Sequence, residues 1–212
     1  MNSRIAIQIL SYNKPHYLKQ TLTSLVSKMG KDDKLCVVEQ SDKDTLQQEC
    51  IDICKSFANI QVIPLFKNFG QRGATNILYE TKFFNDAKYV MLSDHDNIFH
   101  EDLTVYCNKL DDDPTVWWAT GYHSPEHDVE RKKGYWLYKS SARAGHLVMR
   151  KTDFLSIMPA DTKAGEASWF AGLDWWISHW SPNSPGHKRS EIIACLPGGV
   201  EHIGRESTWQ GL

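Results

Sequence analysis

Residues 4–26 read RIAIQILSYNKPHYLKQTLTSLV, and this stretch joins the hydrophobic period of a strand to that of a helix. Isoleucine at alternate positions over residues 4–10 is typical of a β-strand. Asn13 and Pro15 then suit the cap and the first turn of a helix, and leucines follow at helical spacing. A strand that leads into a helix in this way is typical of the parallel sheets of α/β proteins.

The same alternation continues through the first 120 residues. Further strands are predicted over residues 34–38, 60–65, 88–92 and 116–120. Helices are predicted between them, over residues 46–57, 75–84 and 102–110. The pattern is weaker afterwards, where we predict a long loop over 122–145, short helices over 152–158 and 173–180 and a late strand over 192–196. The predicted architecture is a single Rossmann-like α/β domain, residues 1–212, with a mixed, mostly parallel sheet flanked by helices.

Composition excludes several classes of protein. The 212 residues carry 24 Lys and Arg against 26 Asp and Glu, and a net charge of −2 excludes a uniformly basic nucleic-acid binder but leaves room for a local patch. No stretch approaches the roughly 20 apolar residues of a membrane span, and we expect no secretory leader. The 5 cysteines have no metal-binding spacing and favour a cytoplasmic location, where thiols stay reduced.

Polar residues stand where the predicted strands end. Tyr12 and Glu39 end the first and second strands, the segment GQRG (70–73) follows the third, and Asp94 and Asp96 end the fourth. Ligands of open α/β sheets bind beyond the carboxyl ends of the strands. Two neighbouring carboxylates suit Mg²⁺ or Mn²⁺ that also binds substrate phosphates, although Asp is equally common in polar turns. Together these residues predict a site for a nucleoside diphosphate.

Six segments, in this order, resemble motifs of the family 2 glycosyltransferases, which have the GT-A fold. They are ILSYNKPHYLKQTLTSL (9–25), VVEQSD (37–42), NFGQRGATN (68–76), LSDHDN (92–97), GLDWW (172–176) and VEHIGRESTW (200–209). The resemblance implies a hexosyl- or pentosyltransferase that moves a sugar from a nucleoside diphosphate sugar, with UDP the expected nucleotide, to an acceptor hydroxyl with inversion. It also implies that residues 1–120 bind the donor and residues 121–212 bind the acceptor.

The resemblance assigns roles to individual residues. Donor contacts fall to Tyr12, Glu39, Asn68, Arg72, Asn76 and Asp94. Asp96 is the implied metal ligand, Asp94 binds the metal or the ribose, and His202 binds the metal or the diphosphate. An imidazole ligand favours Mn²⁺ over Mg²⁺, although His202 is equally explained as a hydrogen-bonded histidine of the C-terminal segment. Glu39 stands where the family usually has Asp, so the nucleoside stays open.

Asp174 is the general base that the resemblance implies. It would deprotonate the acceptor hydroxyl, while Trp175 and Trp176 beside it would wall the acceptor pocket. The alternative for Asp174 is a carboxylate that stabilises a helix N-terminus. All 8 tryptophans follow residue 116, either as core residues or as platforms for stacking.

The acceptor is predicted from residues 131–151, which contain seven basic and no acidic residues. The basic side chains are Arg131, Lys132, Lys133, Lys139, Arg143, Arg150 and Lys151, and aromatic residues including Trp136 lie among them. Cations interleaved with aromatics suit an anionic acceptor, such as a nucleic acid with a hydroxylated base, an acidic glycan or a phosphorylated lipid head group. We expect Trp136 and Arg143 to contact it, and a solvated loop is the alternative.

Two other functions remain open at this point. A non-catalytic sugar-nucleotide-binding protein would share the donor site, but Asp96, Asp174 and His202 together favour catalysis. A nucleotidyltransferase of related architecture usually has a glycine-rich loop after the first strand. Residues 11–15, SYNKP, contain no glycine.

Overall fold

The computed structural model describes residues 5–125, 128–140, 145–163, 172–173, 176–177 and 193–204. Its helices are α1 (Pro15–Val26), α2 (Asp44–Lys55), α3 (Gly70–Glu80), α4 (Thr104–Asp112) and α5 (Lys151–Ile157). Its strands are β1 (Ile5–Ser11), β2 (Lys34–Glu39), β3 (Ile60–Pro64), β4 (Tyr89–Asp94), β5 (Asn97–Phe99), β6 (Trp118–Thr120), β7 (Arg131–Lys133), β8 (Trp136–Lys139), β9 (His146–Arg150), β10 (Ile193–Cys195) and β11 (Val200–His202).

Nine of the described strands form one mixed sheet in the order β3-β2-β1-β4-β9-β6-β10-β8-β7. The first four are parallel to one another, and β6 is parallel to β10. β9 pairs antiparallel with β4 and β6, and β8 pairs antiparallel with β10 and β7. β8 and β9 therefore run in the opposite direction to the other strands of the sheet. The predicted α/β architecture with a mostly parallel sheet is therefore confirmed.

The alternation of apolar residues along β1 divides the core between the two faces of the sheet. Ile5, Ile7 and Ile9 pack in a cluster with the buried faces of α1, α2 and α4. Ala6 and Leu10 point to the opposite face, where a second cluster includes residues of α3 and α5. Successive side chains of a strand point to opposite faces, so one strand serves both layers of helices.

The predicted cap of α1 is wrong. Lys14 is the N-cap residue and makes no side-chain capping bond, while Asn13 precedes it with a φ of 56°. Asparagine tolerates this left-handed conformation better than most residues. Its Oδ1 accepts from the backbone N–H of Asp42 at 3.2 Å, so Asn13 connects the chain beyond β1 to the chain beyond β2.

Two further boundaries differ from the prediction. Residues 131–139 of the predicted loop form the hairpin β7–β8, whose exposed first strand is all basic and shows no hydrophobic alternation. α3 begins at Gly70 rather than at residue 75, so Gln71 and Arg72 lie inside the helix. The first turn of α3 contains glycine and polar residues, so the hydrophobic periodicity does not show where the helix begins. The helix predicted over 173–180 falls mostly outside the described residues.

Two further features of the structure concern the cysteines and the length and hydropathy of the helices. All five cysteines are buried free thiols. Among the described residues, no helix combines the length and the hydropathy that crossing a membrane requires.

Candidate functional site

The carboxyl ends of β1, β2 and β4 meet at one edge of the sheet. In the pairing register Ser11 of β1 lies beside Glu39 of β2, and Leu10 lies beside Asp94 of β4. Parallel strands bring residues that are far apart in sequence to the same edge. The strand ends that carry Tyr12, Glu39 and Asp94 therefore lie together, as predicted.

Asp96 and His202 form a side-chain pair just beyond β4. β5 pairs antiparallel with β11, which places His202 opposite Asn97. Nε2 of His202 lies 3.1 Å from Oδ2 of Asp96. The other oxygen of Asp96, Oδ1, is buried and has no hydrogen-bond partner among the described residues.

The electrostatics of this pair favour an ionised carboxylate. Burial raises the pKa of Asp96, but the hydrogen bond from His202 and the charges of His95 and His202 outweigh burial. The net result is a pKa below the usual range of an aspartate. An ionised carboxylate with an open oxygen, next to an imidazole, is a donor set that Mn²⁺ accepts.

The pair alone would hold a metal only in part. Within the part of the chain that the structure describes, no three His, Cys, Asp or Glu side chains group as a metal site. Divalent cations in nucleotide sites commonly take one or two protein carboxylates and complete their coordination with substrate phosphates. The Asp96–His202 pair fits such a shared site.

Asp94 is held by a residue that the sequence analysis missed. Nε2 of Gln71 donates to Oδ1 and Oδ2 of Asp94, at 3.0 and 3.3 Å. Oε1 of Gln71 accepts from the backbone N–H of Leu173 at 3.0 Å. The sequence signal for Gln71 is its place in the GQRG segment (70–73), between Gly70 and the charged Arg72.

The side chain of Glu39 points into the protein and does not reach the surface. Its side chain is fully buried, and Oε1 accepts from the backbone N–H of Ser41 at 2.6 Å. Tyr12 is half-buried, and its hydroxyl donates to Oδ2 of Asp42 at 3.2 Å. Burial and the neighbouring Asp42 raise the pKa of Tyr12, while a hydrogen bond with Asn68 opposes them. Tyr12 and Asn68 are thus neighbours that reach the surface, whereas Glu39 does not reach it.

Arg72 and Asn76 anchor the segment that follows α5. The guanidinium of Arg72, 4% exposed, donates to the backbone oxygen of Asp161 at 2.6 Å. Asn76 exchanges two hydrogen bonds of 2.8 Å with the backbone of Ala160. Both side chains point to the protein's own backbone, so their predicted donor contacts stay predictions.

The two predicted acceptor residues that the structure describes, Trp136 and Trp176, pack against different core clusters. Trp176 is buried in the core, where its indole donates to the backbone oxygen of Ile157 at 3.2 Å. Trp136 is half-buried on β8 and meets the ring of Tyr106 edge-on at 6.3 Å. Trp176 is therefore a core residue, and its predicted place in the wall of the acceptor pocket stays a prediction. Asp174, Trp175 and Arg143 lie outside the described residues.

Comparison with known families decides the assignment. The family model described as glycosyl transferase family 2 matches residues 6–164, three quarters of the chain. The chain belongs to glycosyl transferase family 2. The match covers β1 to α5, and thus the strand ends with Tyr12, Glu39, Asp94 and Asp96. No curated protein sequence matches this family 2 chain.

Solved structures share the GT-A fold of this family 2 protein. GalNAc-T7 with UDP, GalNAc and Mn²⁺ superposes with a TM-score of 0.68 at 14% identity, covering 99% of this chain and 44% of that one. The mannosyltransferase PcManGT from Pyrobaculum calidifontis, in complex with GDP-Man and Mn²⁺, gives 0.62 at 11% identity, covering 92% and 57%. The family 2 chain thus spans about half the length of either structure.

Proposed function

We propose that the protein is a metal-dependent, inverting glycosyltransferase that moves a sugar from a UDP-linked donor to an acceptor hydroxyl. The observation that carries this proposal is the Asp96–His202 pair at 3.1 Å, next to Asp94 at the carboxyl edge of the sheet. Family membership supports the reaction class, and the two similar structures contain UDP or GDP-Man together with Mn²⁺.

The proposed metal ligands are Asp96 and His202, with Asp94 as a third ligand or a ribose contact. Oδ1 of Asp96 is a buried oxygen without a partner among the described residues, which suits a cation. Bound there, a divalent ion would neutralise charge on the departing diphosphate. The imidazole of His202 supports Mn²⁺ over Mg²⁺.

The donor nucleoside is proposed to lie against Tyr12 and Asn68, which are hydrogen-bonded neighbours beyond the ends of β1 and β3. Tyr12 offers a ring for stacking, and its hydroxyl is oriented by Asp42 at 3.2 Å. Glu39, Arg72 and Asn76 are also proposed to contact the donor. To do so, their side chains would have to leave their present hydrogen-bond partners. Of the proposed donor contacts, Tyr12 and Asn68 need the least rearrangement.

Asp174 is proposed as the general base that accepts the proton of the attacking hydroxyl. Attack from the face opposite the leaving diphosphate inverts the anomeric carbon. The hydrogen bond between Gln71 and the N–H of Leu173, the residue before Asp174, supports a base close to Asp94. Residues 1–120 are proposed to bind the donor, while 121–212 supply the base, the acceptor contacts and the metal ligand His202.

An anionic acceptor is the second part of the proposal. Arg131, Lys132 and Lys133 are exposed along β7, and Tyr135 in the turn is 86% exposed. β7 runs in the same direction as β4, so its turn lies at the edge of the sheet that carries Asp94. Five strand spacings separate β7 from β4, roughly 24 Å in a flat sheet. An acceptor that reaches both places would be extended, as polymers and lipid surfaces are.

The five buried thiols suit a cytoplasmic setting for this reaction.

Thermal unfolding with Mn²⁺ and a panel of nucleotides and nucleotide sugars tests the donor site. A ligand that binds only the folded state raises the melting temperature by mass action. We expect UDP and UDP-sugars to raise it in a metal-dependent way, and Asp96→Ala to abolish the shift. Asp32→Ala, an exposed carboxylate before β2, should keep it. No shift with any nucleotide would overturn the transferase proposal.

A further inference from the structure

We propose that Thr21 of α1 is a positioning residue that holds the Asp96 carboxylate toward His202. The inference rests on the proposed function, because it gives Asp96 and His202 the role of metal ligands. Thr21 is fully buried and lies 75 positions before Asp96 in the sequence (96 minus 21). It belongs to none of the residues assigned to donor, metal or acceptor.

The hydroxyl of Thr21 binds the backbone on both sides of Asp96. Oγ1 donates to the backbone oxygen of His95 at 2.6 Å and accepts from the backbone N–H of Asn97 at 3.1 Å. One hydroxyl therefore fixes the peptide groups that flank Asp96. The two bonds use the donor and an acceptor position of the same oxygen, which also fixes the orientation of the threonine side chain.

The opposite side of the same backbone is held by the strand that carries His202. The backbone oxygen of Asp96 accepts from the N–H of Ile203 at 2.8 Å. The backbone around Asp96 is thus held on one side by the Thr21 hydroxyl and on the other by Ile203, the residue after β11. The side chains of Asp96 and His202 extend from this bridge and meet at 3.1 Å.

Ser24, one helical turn after Thr21, provides the natural comparison. Its hydroxyl accepts from the N–H of Phe99 at 3.1 Å, so α1 satisfies two N–H groups along β5. The remaining buried residues on this face of the helix include Leu18, Leu22 and Leu25. Thr21 and Ser24 make the same kind of bond to β5, but only Thr21 bonds the peptides beside Asp96.

Partners that orient metal ligands influence metal affinity without touching the ion, and their loss typically weakens binding about 10–100-fold. Thr21→Val keeps the shape of the side chain and removes both hydrogen bonds. Thr21→Ser keeps the hydroxyl. Ser24→Ala loosens β5 at a distance from Asp96, and Thr23→Val changes an exposed hydroxyl that bonds only within α1.

The experiment is calorimetric titration of the full chain with Mn²⁺ in the presence of UDP, alongside the melting temperature of each variant. Thr21→Val should raise the Kd for Mn²⁺ about tenfold or more. Thr21→Ser, Ser24→Ala and Thr23→Val should stay close to wild type. Thr21→Cys, which keeps the volume with a weaker donor, takes the place of Thr21→Val if that variant does not fold.

The outcomes separate this inference from the proposed function. Unchanged Mn²⁺ affinity in Thr21→Val, with binding lost in Asp96→Ala, overturns the positioning role and leaves the metal site intact. Equal weakening in Thr21→Val and Ser24→Ala also overturns it, because any loosening of β5 would then suffice. Wild-type Mn²⁺ binding by Asp96→Ala would instead overturn the proposed metal site.

Discussion

The side-chain amide of Gln71 donates from Nε2 to the carboxylate of Asp94 at 3.0 Å, while its Oε1 accepts from the N–H of Leu173 at 3.0 Å. One side chain thus joins the end of β4 to the residue before Asp174. An amide suits this place because it offers a donor to a carboxylate and an acceptor to a peptide at once.

Replacing Gln71 by Glu should weaken donor binding. The change removes the N–H donor and sets a second carboxylate against Asp94, and like charges at such a distance repel. We expect Mn²⁺-dependent binding of the nucleotide sugar to fall about tenfold or more, measured by titration calorimetry. Gln61→Glu, on the exposed surface of β3, is the matched control and should bind as wild type does. Equal affinities for the two variants would contradict a role for Gln71 at the site.

The free energy of unfolding should depend on pH through His146. Nδ1 of His146 accepts from the N–H of Gly121 at 3.0 Å, and burial lowers the pKa of the ring from 6.5 to about 3. Between these values the unfolded chain binds a proton that the folded chain does not. Stability is therefore greatest above pH 6.5 and falls as pH falls toward 3, by up to about 1.4 kcal/mol per pH unit.

Urea denaturation of wild type and His146→Gln at pH 8, 6 and 5 measures this dependence. Glutamine keeps an acceptor for Gly121 and does not titrate, so the variant should lose less stability on acidification. The pKa of His95 is also lowered, by burial, but His95 is present in both proteins and cancels in the comparison. Parallel pH profiles would show that His146 does not carry the effect.

Gly121 should not tolerate a side chain. A Cβ there would lie 2.7 Å from Cγ2 of Val200 and 2.9 Å from the carbonyl carbon of Gly199, and it would also collide with the hydroxyl of Tyr106. Overpacking of this kind typically costs about 1–3 kcal/mol, so Gly121→Ala should lower the melting temperature.

Tyr106→Phe tests the cause of that loss. The hydroxyl of Tyr106 is buried without a partner among the described residues, so its removal alone should change stability little. Combined with Gly121→Ala it should restore part of the melting temperature, since the clashes with Val200 and Gly199 remain. If the melting temperature of the double variant did not recover, the loss of stability would come entirely from the clashes with Val200 and Gly199.

The hairpin should contribute to acceptor binding through charge. Lys132→Glu with Lys133→Glu should weaken binding of an anionic acceptor and reduce its dependence on salt, because fewer counterions are released. Lys31→Glu with Lys55→Glu makes the same change of charge on exposed residues elsewhere. The probes are an oligonucleotide with a hydroxylated base, an acidic glycan and vesicles with a phosphorylated head group. Salt-independent binding of all three would contradict an anionic acceptor.

Much of the fold was predictable because β1, β2 and β4 are buried apolar runs followed by helices with regular spacing. The short strands β5, β7 and β11 have three residues each, too few for a period to show. β9 was missed for a related reason, since His146 and Arg150 leave only three apolar residues between them.

The site was predictable in position but not in orientation. A residue at a strand end is placed at the edge of the sheet, and this prediction for Asp94 and Glu39 agrees with the structure. Whether the side chain faces outward depends on its local partners. Glu39 points inward because its carboxylate accepts from the N–H of Ser41. Arg72 points to the segment after α5 because its guanidinium donates to the backbone oxygen of Asp161. Gln71 and Thr21 are neutral residues whose roles depend on contacts distant in sequence.

The pairing of β11 with β5 makes the proposed metal pair depend on a contact between distant parts of the chain. Asp96 and His202 are 106 positions apart (202 minus 96), and all of β6 to β10 lies between them. Contacts of such long sequence separation form late, since the entropy of closing the loop must first be overcome. A nascent or truncated chain that lacks β11 would carry Asp94 and Asp96 without their histidine. The proposed metal-binding pair would therefore form only after β6 to β10 had been synthesised and β11 had docked against β5.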